Sequence, residues 1–150
     1  MDLEWKRLSD IYPKQTLFGD TIQLSTVLQG NLGDCYFLAA LEHLTNQPSC
    51  IKRLFVQPID TVNDAGIYQV QFYINGMKRS IVIDDYVPVD KETGRIAFCR
   101  AINQEIWPII LEKAWAKLHG SYAKSIYGYP SFATMHLTRM PTEDIRHEKQ

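Results

Sequence analysis

No run of eighteen apolar residues occurs in the chain, which excludes a membrane-spanning helix. The opening residues, Met1-Asp2-Leu3-Glu4-Trp5, are acidic and carry no signal-peptide core. Neither sign of charge dominates: 16 Lys and Arg stand against 17 Asp and Glu, and a net charge of −1 gives no pull toward nucleic acid or a membrane surface. Cysteine is scarce. Cys35, Cys50 and Cys99 form an odd set without a C-x-x-C spacing, which argues against a disulfide framework and a zinc site and for the reducing cytoplasm. Repeats and low-complexity segments are absent. What remains is 150 residues, 45% of them apolar, enough for one domain spanning 1–150 with a real core.

The most informative stretch is Gln29-Gly30-Asn31-Leu32-Gly33-Asp34-Cys35-Tyr36-Phe37-Leu38-Ala39-Ala40-Leu41, a glycine-punctuated loop running into a cysteine that opens an apolar helix. The first N–H groups of a helix lack intrahelical partners and carry partial positive charge, which favours a thiolate, the nucleophilic form. Gln29, six positions ahead, offers an amide NH2 suited to an oxyanion. Residue type and spacing alone leave two readings: an activated nucleophile, or a small hydrophobe packed under a loop beside a solvated glutamine.

Gln29 to Leu41 closely resembles the active-site signature of the calpain cysteine proteases, a branch of the papain-like superfamily. Trp5-Lys6-Arg7, the Asp84-Asp85-Tyr86-Val87-Pro88-Val89 run and Leu111-Glu112-Lys113-Ala114-Trp115-Ala116-Lys117 resemble further calpain landmarks in the family's order. The resemblance covers about Glu4 to about Thr142. It implies Cys35 as nucleophile, Gln29 as oxyanion donor and peptide bonds of intracellular proteins as substrate. It also implies an α+β fold, a papain-like half-domain in which the Cys35 helix packs with a second long helix and a small antiparallel hairpin.

Taken in order, residues 1–28 read as an irregular, extended lead-in broken by Pro13 and Gly19-Asp20. A helix is predicted from Asp34 or Cys35 to Thr45, with Leu38, Leu41 and Leu44 on its buried face, and a short one over 48–55. Tyr68, Val70, Phe72 and Ile74 alternate with polar positions, and Asn75-Gly76 is the signal for a two-residue type I′ turn. That turn sets Val70 opposite Ile81 and Tyr68 opposite Ile83. Ile96-Ala97-Phe98-Cys99 reads as another short strand. Gln104 to His119 reads as the second major helix, with Pro108 in its first turn and Gly120 as its stop. A last short helix is expected from Phe132 to Leu137.

A cysteine protease also needs a base beside the thiol and a group that orients it. His43 lies eight residues along the Cys35 helix, about 12 Å away at about 1.5 Å per residue, and cannot pair. His119 sits at a helix end, where a cation meets the dipole favourably, and His147 lies in the charged tail. His136 is the remaining candidate. In calpains, however, the catalytic histidine follows a glycine in the second half of the core, and the orienting asparagine stands in an Asn-Pro-Trp context; neither pattern occurs here. The chain therefore resembles the cysteine-bearing half of a calpain cleft, with a second subdomain to supply His and Asn. The chemistry requires no cofactor. Animal calpains bind calcium in this subdomain through backbone carbonyls, an aspartate nine residues before the cysteine and a glutamate in the later helix. Thr26 stands at the aspartate position and Glu112 matches the glutamate by resemblance, which predicts weak or absent affinity. A solvated helix-face carboxylate is the other reading of Glu112. The rival to an endopeptidase is a non-catalytic calpain-like module that grips a protein partner; a thiol-sensing or structural domain is a third.

Overall fold

In the computed structural model, which describes residues 2–23, 27–30, 32–56 and 61–145, the lead-in is not irregular throughout. Strand β1 (Leu3–Arg7) turns directly into a one-turn helix, α1 (Leu8–Ile11), and a two-residue strand, β2 (Val27–Leu28), precedes the cysteine helix. There follow α2 (Cys35–Thr45), α3 (Pro48–Lys52), β3 (Ile67–Ile74), β4 (Met77–Asp84), β5 (Tyr86–Asp90), β6 (Arg100–Ala101), α4 (Trp107–His119), a 3₁₀ turn at Tyr122–Lys124 and α5 (Pro130–Thr138). The strands form three two-stranded antiparallel pairs, β1–β5, β2–β6 and β3–β4. The class is α+β, as expected.

The hairpin register follows from its turn. Asn75 and Gly76 both take positive φ, 51° and 74°, the backbone a type I′ turn requires. Val70 then faces Ile81 and Tyr68 faces Ile83. The inward row of Tyr68, Val70 and Phe72 is buried while Met77 to Ser80 lie exposed, so only one face of the hairpin meets the core. At the open end of the hairpin Arg7 grips the buried Asp85 through Nε (3.0 Å) and Nη2 (3.1 Å), holding β1 there.

Several expectations differ from the structure: the helix predicted over 48–55 ends at Lys52, the last helix runs Pro130–Thr138, and two larger differences have a visible cause. The second long helix starts at Trp107 rather than Gln104, because Gln104 is left-handed (φ 62°) and the Ile106 and Trp107 N–H groups donate to Thr16 and Leu17 carbonyls. The segment 96–99 is buried but makes only a single bridge, Ile96 to Val89. Its Cys99 N–H is taken by the Glu112 carboxyl instead of a neighbouring strand. The core gathers around Trp115 of α4, which stacks on Phe37 of α2 (centroids 4.8 Å) and meets Phe72 of β3 and His136 of α5 edge-on.

Candidate active site

Cys35 is the first residue of α2 and its thiol is free and exposed. Asp34 caps the helix through its backbone: its carbonyl accepts the Phe37 N–H (2.8 Å) and the Leu38 N–H (3.2 Å). Gln29 is exposed in the preceding loop, and its Nε2 donates to the Leu32 carbonyl at 3.1 Å. An amide NH2 carries two donors, so this bond fixes the side chain and leaves the second N–H for a ligand. Gly30 is where the loop meets the rest of the fold, since a β-carbon there would overlap the Phe98 backbone. Gly33 has room; its nearest neighbour would be Ile126 Cβ at 3.8 Å. Gly30→Ala is therefore expected to cost about 1–3 kcal/mol and to slow alkylation of Cys35, while Gly33→Ala leaves both nearly unchanged. Urea unfolding and thiol labelling of the two variants check this contrast; equal behaviour refutes it.

The Cys35 thiol opens onto a cleft of about 450 Å³ lined by Gly33, Cys35, Tyr36, Tyr127, Gly128 and Tyr129. The Tyr127 N–H donates to the Gly33 carbonyl (3.1 Å), tying the tyrosine loop to the cysteine loop. Tyr127 is left-handed (φ 62°) and 86% exposed, and Tyr129 is 58% exposed, so two rings stand out as walls. Below them the Tyr36 hydroxyl donates to the Ser125 carbonyl (2.8 Å) and accepts the Trp115 indole N–H (2.9 Å). A second hollow of about 390 Å³ continues past Tyr129 to Phe132 and His119. The signal for these walls in the sequence is a cluster of large aromatics among Gly, Ser and Pro after Gly120.

Among the described residues no histidine lines the cleft with Cys35. His136 is buried, its Nδ1 paired with the Phe132 carbonyl (2.7 Å), and His119 Nδ1 pairs with the Trp115 carbonyl (2.9 Å). His43 lines a separate hollow with Cys50, and His147 and Thr26 lie outside the described residues. Gln29 is likewise not part of the cleft lining.

Glu112 is no solvated helix-face carboxylate: it is 2% exposed and both its oxygens face the Cys99 N–H, at 3.2 and 3.1 Å. Asp34, fully buried, is the other carboxyl beside it. Burial, then the mutual repulsion of the pair, holds Glu112 well above the usual carboxylate range; burial raises Asp34 as well. Calcium takes six to eight oxygens. Here there are two carboxyls and an amide N–H that is itself a donor, and among the described residues no group of three or more His, Cys, Asp or Glu side chains converges. Among the described residues, the side chains around Glu112 do not make a calcium cage.

Residues 1–150 match the family model described as calpain family cysteine protease. The chain is 38% identical over 138 residues to Calpain-13 of Rattus norvegicus, covering 91% of this chain and 20% of that protein. It is 41% identical over 149 residues to the calpain-type cysteine protease DEK1 of Zea mays, covering 95% of this chain and 7% of that one. To Calpain clp-1 of Caenorhabditis elegans it is 38% identical over 147 residues, 95% of this chain and 18% of the relative. The chain thus spans a fifth or less of the length of these relatives. A helix opening on an exposed cysteine, a glycine loop bearing a glutamine and a family match from the first residue to the last agree, and the chain belongs to the calpain family of cysteine proteases.

Proposed function

We propose that residues 1–150 are the nucleophile-bearing half of an endopeptidase cleft acting on intracellular proteins in the cytoplasm. The observation that carries this reading is the exposed Cys35 thiol at the start of α2, open to a cleft with aromatic walls. The Cys35 thiolate attacks the scissile carbonyl, a C–S bond forms and the carbonyl electron pair moves onto oxygen. The second N–H of Gln29 and the Cys35 backbone N–H receive that oxyanion. Its collapse expels the amine, which takes a proton from the base, and water then cleaves the thioester. The base and its orienting asparagine come from a second subdomain; His136 and His119, each bonded to its own helix, are poorly placed to serve. Tyr127 and Tyr129 offer flat apolar surfaces to a peptide, which favours substrates with apolar side chains near the cleaved bond.

The test has two arms on the 150-residue chain. Cys35 is expected to alkylate with iodoacetamide at pH 6 faster than free cysteine, and the chain alone is expected to turn over no fluorogenic peptide. Slow alkylation would replace the peptidase reading with a non-catalytic module that grips proteins through the same cleft. Turnover lost in both Cys35→Ala and His136→Ala would make His136 the base.

A further inference from the structure

Asp34 poses a problem of satisfaction. It is fully buried, and neither of its carboxylate oxygens makes a hydrogen bond of ordinary geometry to another of the described residues. A buried carboxylate without a donor is strongly disfavoured. Two groups act on it at close range, its own backbone N–H and the carboxyl of Glu112, and Glu112 can donate only if it holds a proton. Glu112 is itself buried, and it accepts the Cys99 N–H, which needs only one of its oxygens. Asp34 stands at the positive end of α2, where the helix dipole favours the charged member of a pair.

We propose that Asp34 and Glu112 share one proton, Glu112 donating to Asp34, and that this pair is a positioning element that fixes the start of the nucleophile helix against α4 and the Cys99 segment. The pair closes a ring of contacts. Glu112 holds Cys99, the Phe98 backbone supports Gly30, and Asp34 leads directly into Cys35. The shared proton limits the charge beside the thiol to one. The groups facing the pair are Tyr36 from α2, Cys99 from the segment before β6, Arg100 from β6 itself, and Tyr122 from the 3₁₀ turn. Burial raises Tyr36, Cys99 and Tyr122, and the charge of the pair adds to this, so all three stay neutral near pH 7 and can donate but not neutralise. Arg100 is the cation in this group and bears on the Cys99 thiol.

The pair can be tested without any peptidase turnover, so its failure is distinct from failure of the proposed function. In the full 150-residue chain, infrared spectroscopy at pH 7 is expected to show the carbonyl band of an un-ionised carboxylic acid, and Glu112→Gln should remove it. The glutamine keeps both interactions, its NH2 donating to Asp34 and its oxygen accepting the Cys99 N–H. It is therefore expected to fold with a urea midpoint at least equal to wild type, whereas Glu112→Ala falls well below. Raised folded-state values mean that the stabilisation is complete in acid, below the unfolded carboxyl range. It declines as pH rises through the folded value of Glu112. The wild-type midpoint should fall along that rise, and the Glu112→Gln midpoint should not. Absence of the acid band in wild type, or Glu112→Gln as damaging as Glu112→Ala, overturns the proposal.

Discussion

Replacing Cys35 by alanine is expected to lower peptide hydrolysis about 10⁶-fold in an enzyme that also carries the base-bearing subdomain, the scale of loss when the nucleophile of a catalytic triad is removed. The size follows from the chemistry. Without sulfur no acyl-enzyme forms, and only a water held in the cleft could attack, with the oxyanion donors alone to help it. Gln29→Ala in the same assay should cost about 10²–10³ in kcat with little change in KM, because its free N–H acts on charge that develops after binding. The Leu32 carbonyl already holds one N–H of that amide, so the donor is fixed before substrate arrives. Steady-state kinetics on both variants decides the matter. A Cys35→Ala enzyme within tenfold of wild type would remove Cys35 from the mechanism, and a rise in KM alone for Gln29→Ala would make Gln29 a binding residue.

Trp115→Ala is expected to destabilise the chain by about 3–5 kcal/mol, a large part of the roughly 5–15 kcal/mol that holds a domain folded. The indole is fully buried and touches rings from α2, β3 and α5 together. Its removal opens a cavity at the junction of all three and deletes the Trp115 donor to Tyr36. Tyr36 would keep its bond to Ser125 but lose the contact that sets its ring under the cleft. The damage should therefore reach Cys35, one residue away, as slower and less uniform alkylation. Trp5→Ala is the control: Trp5 is 56% exposed with Lys113 over its ring at 5.5 Å, a contact worth about 0.5–1 kcal/mol. Urea unfolding should separate the two variants clearly. Similar midpoints would mean that Trp115 is not the centre of the core.

The elements legible in the sequence were those whose causes are local. Asn75-Gly76 sets its own turn, and the turn dictates the register of sixteen residues in β3 and β4. The leucines of α2 and the Trp107 to Leu118 face of α4 carry the helical period in their own spacing. Strand β1 was illegible for the opposite reason. Leu3, Trp5 and Lys6 are exposed, so no alternation of apolar and polar residues marks it, and its partner β5 lies far along the chain. Segment 96–99 misled because its apolar residues are indeed buried; the side chain of Glu112, thirteen residues beyond Cys99, takes the amide a strand would have used. At the candidate site, motif and resemblance point to Cys35 and Gln29; the structure puts Cys35 on the cleft and leaves Gln29 off its lining. Asp34 could not be named in this way, because its importance comes from being pressed against Glu112, and nothing in a loop aspartate before a helix announces that neighbour.

The pairing of β1 with β5 has a consequence for how the chain is made. Leu3 meets Asp90, so β1 leaves the ribosome 87 positions ahead of the residue that covers its edge. At roughly 5–20 residues per second that is a delay of roughly 4–17 seconds. During it the row of open N–H and C=O groups on Leu3 to Arg7 is a template for any passing strand. Lys6 and Arg7 beside Glu4 supply the charge that discourages such encounters during the nascent chain's wait.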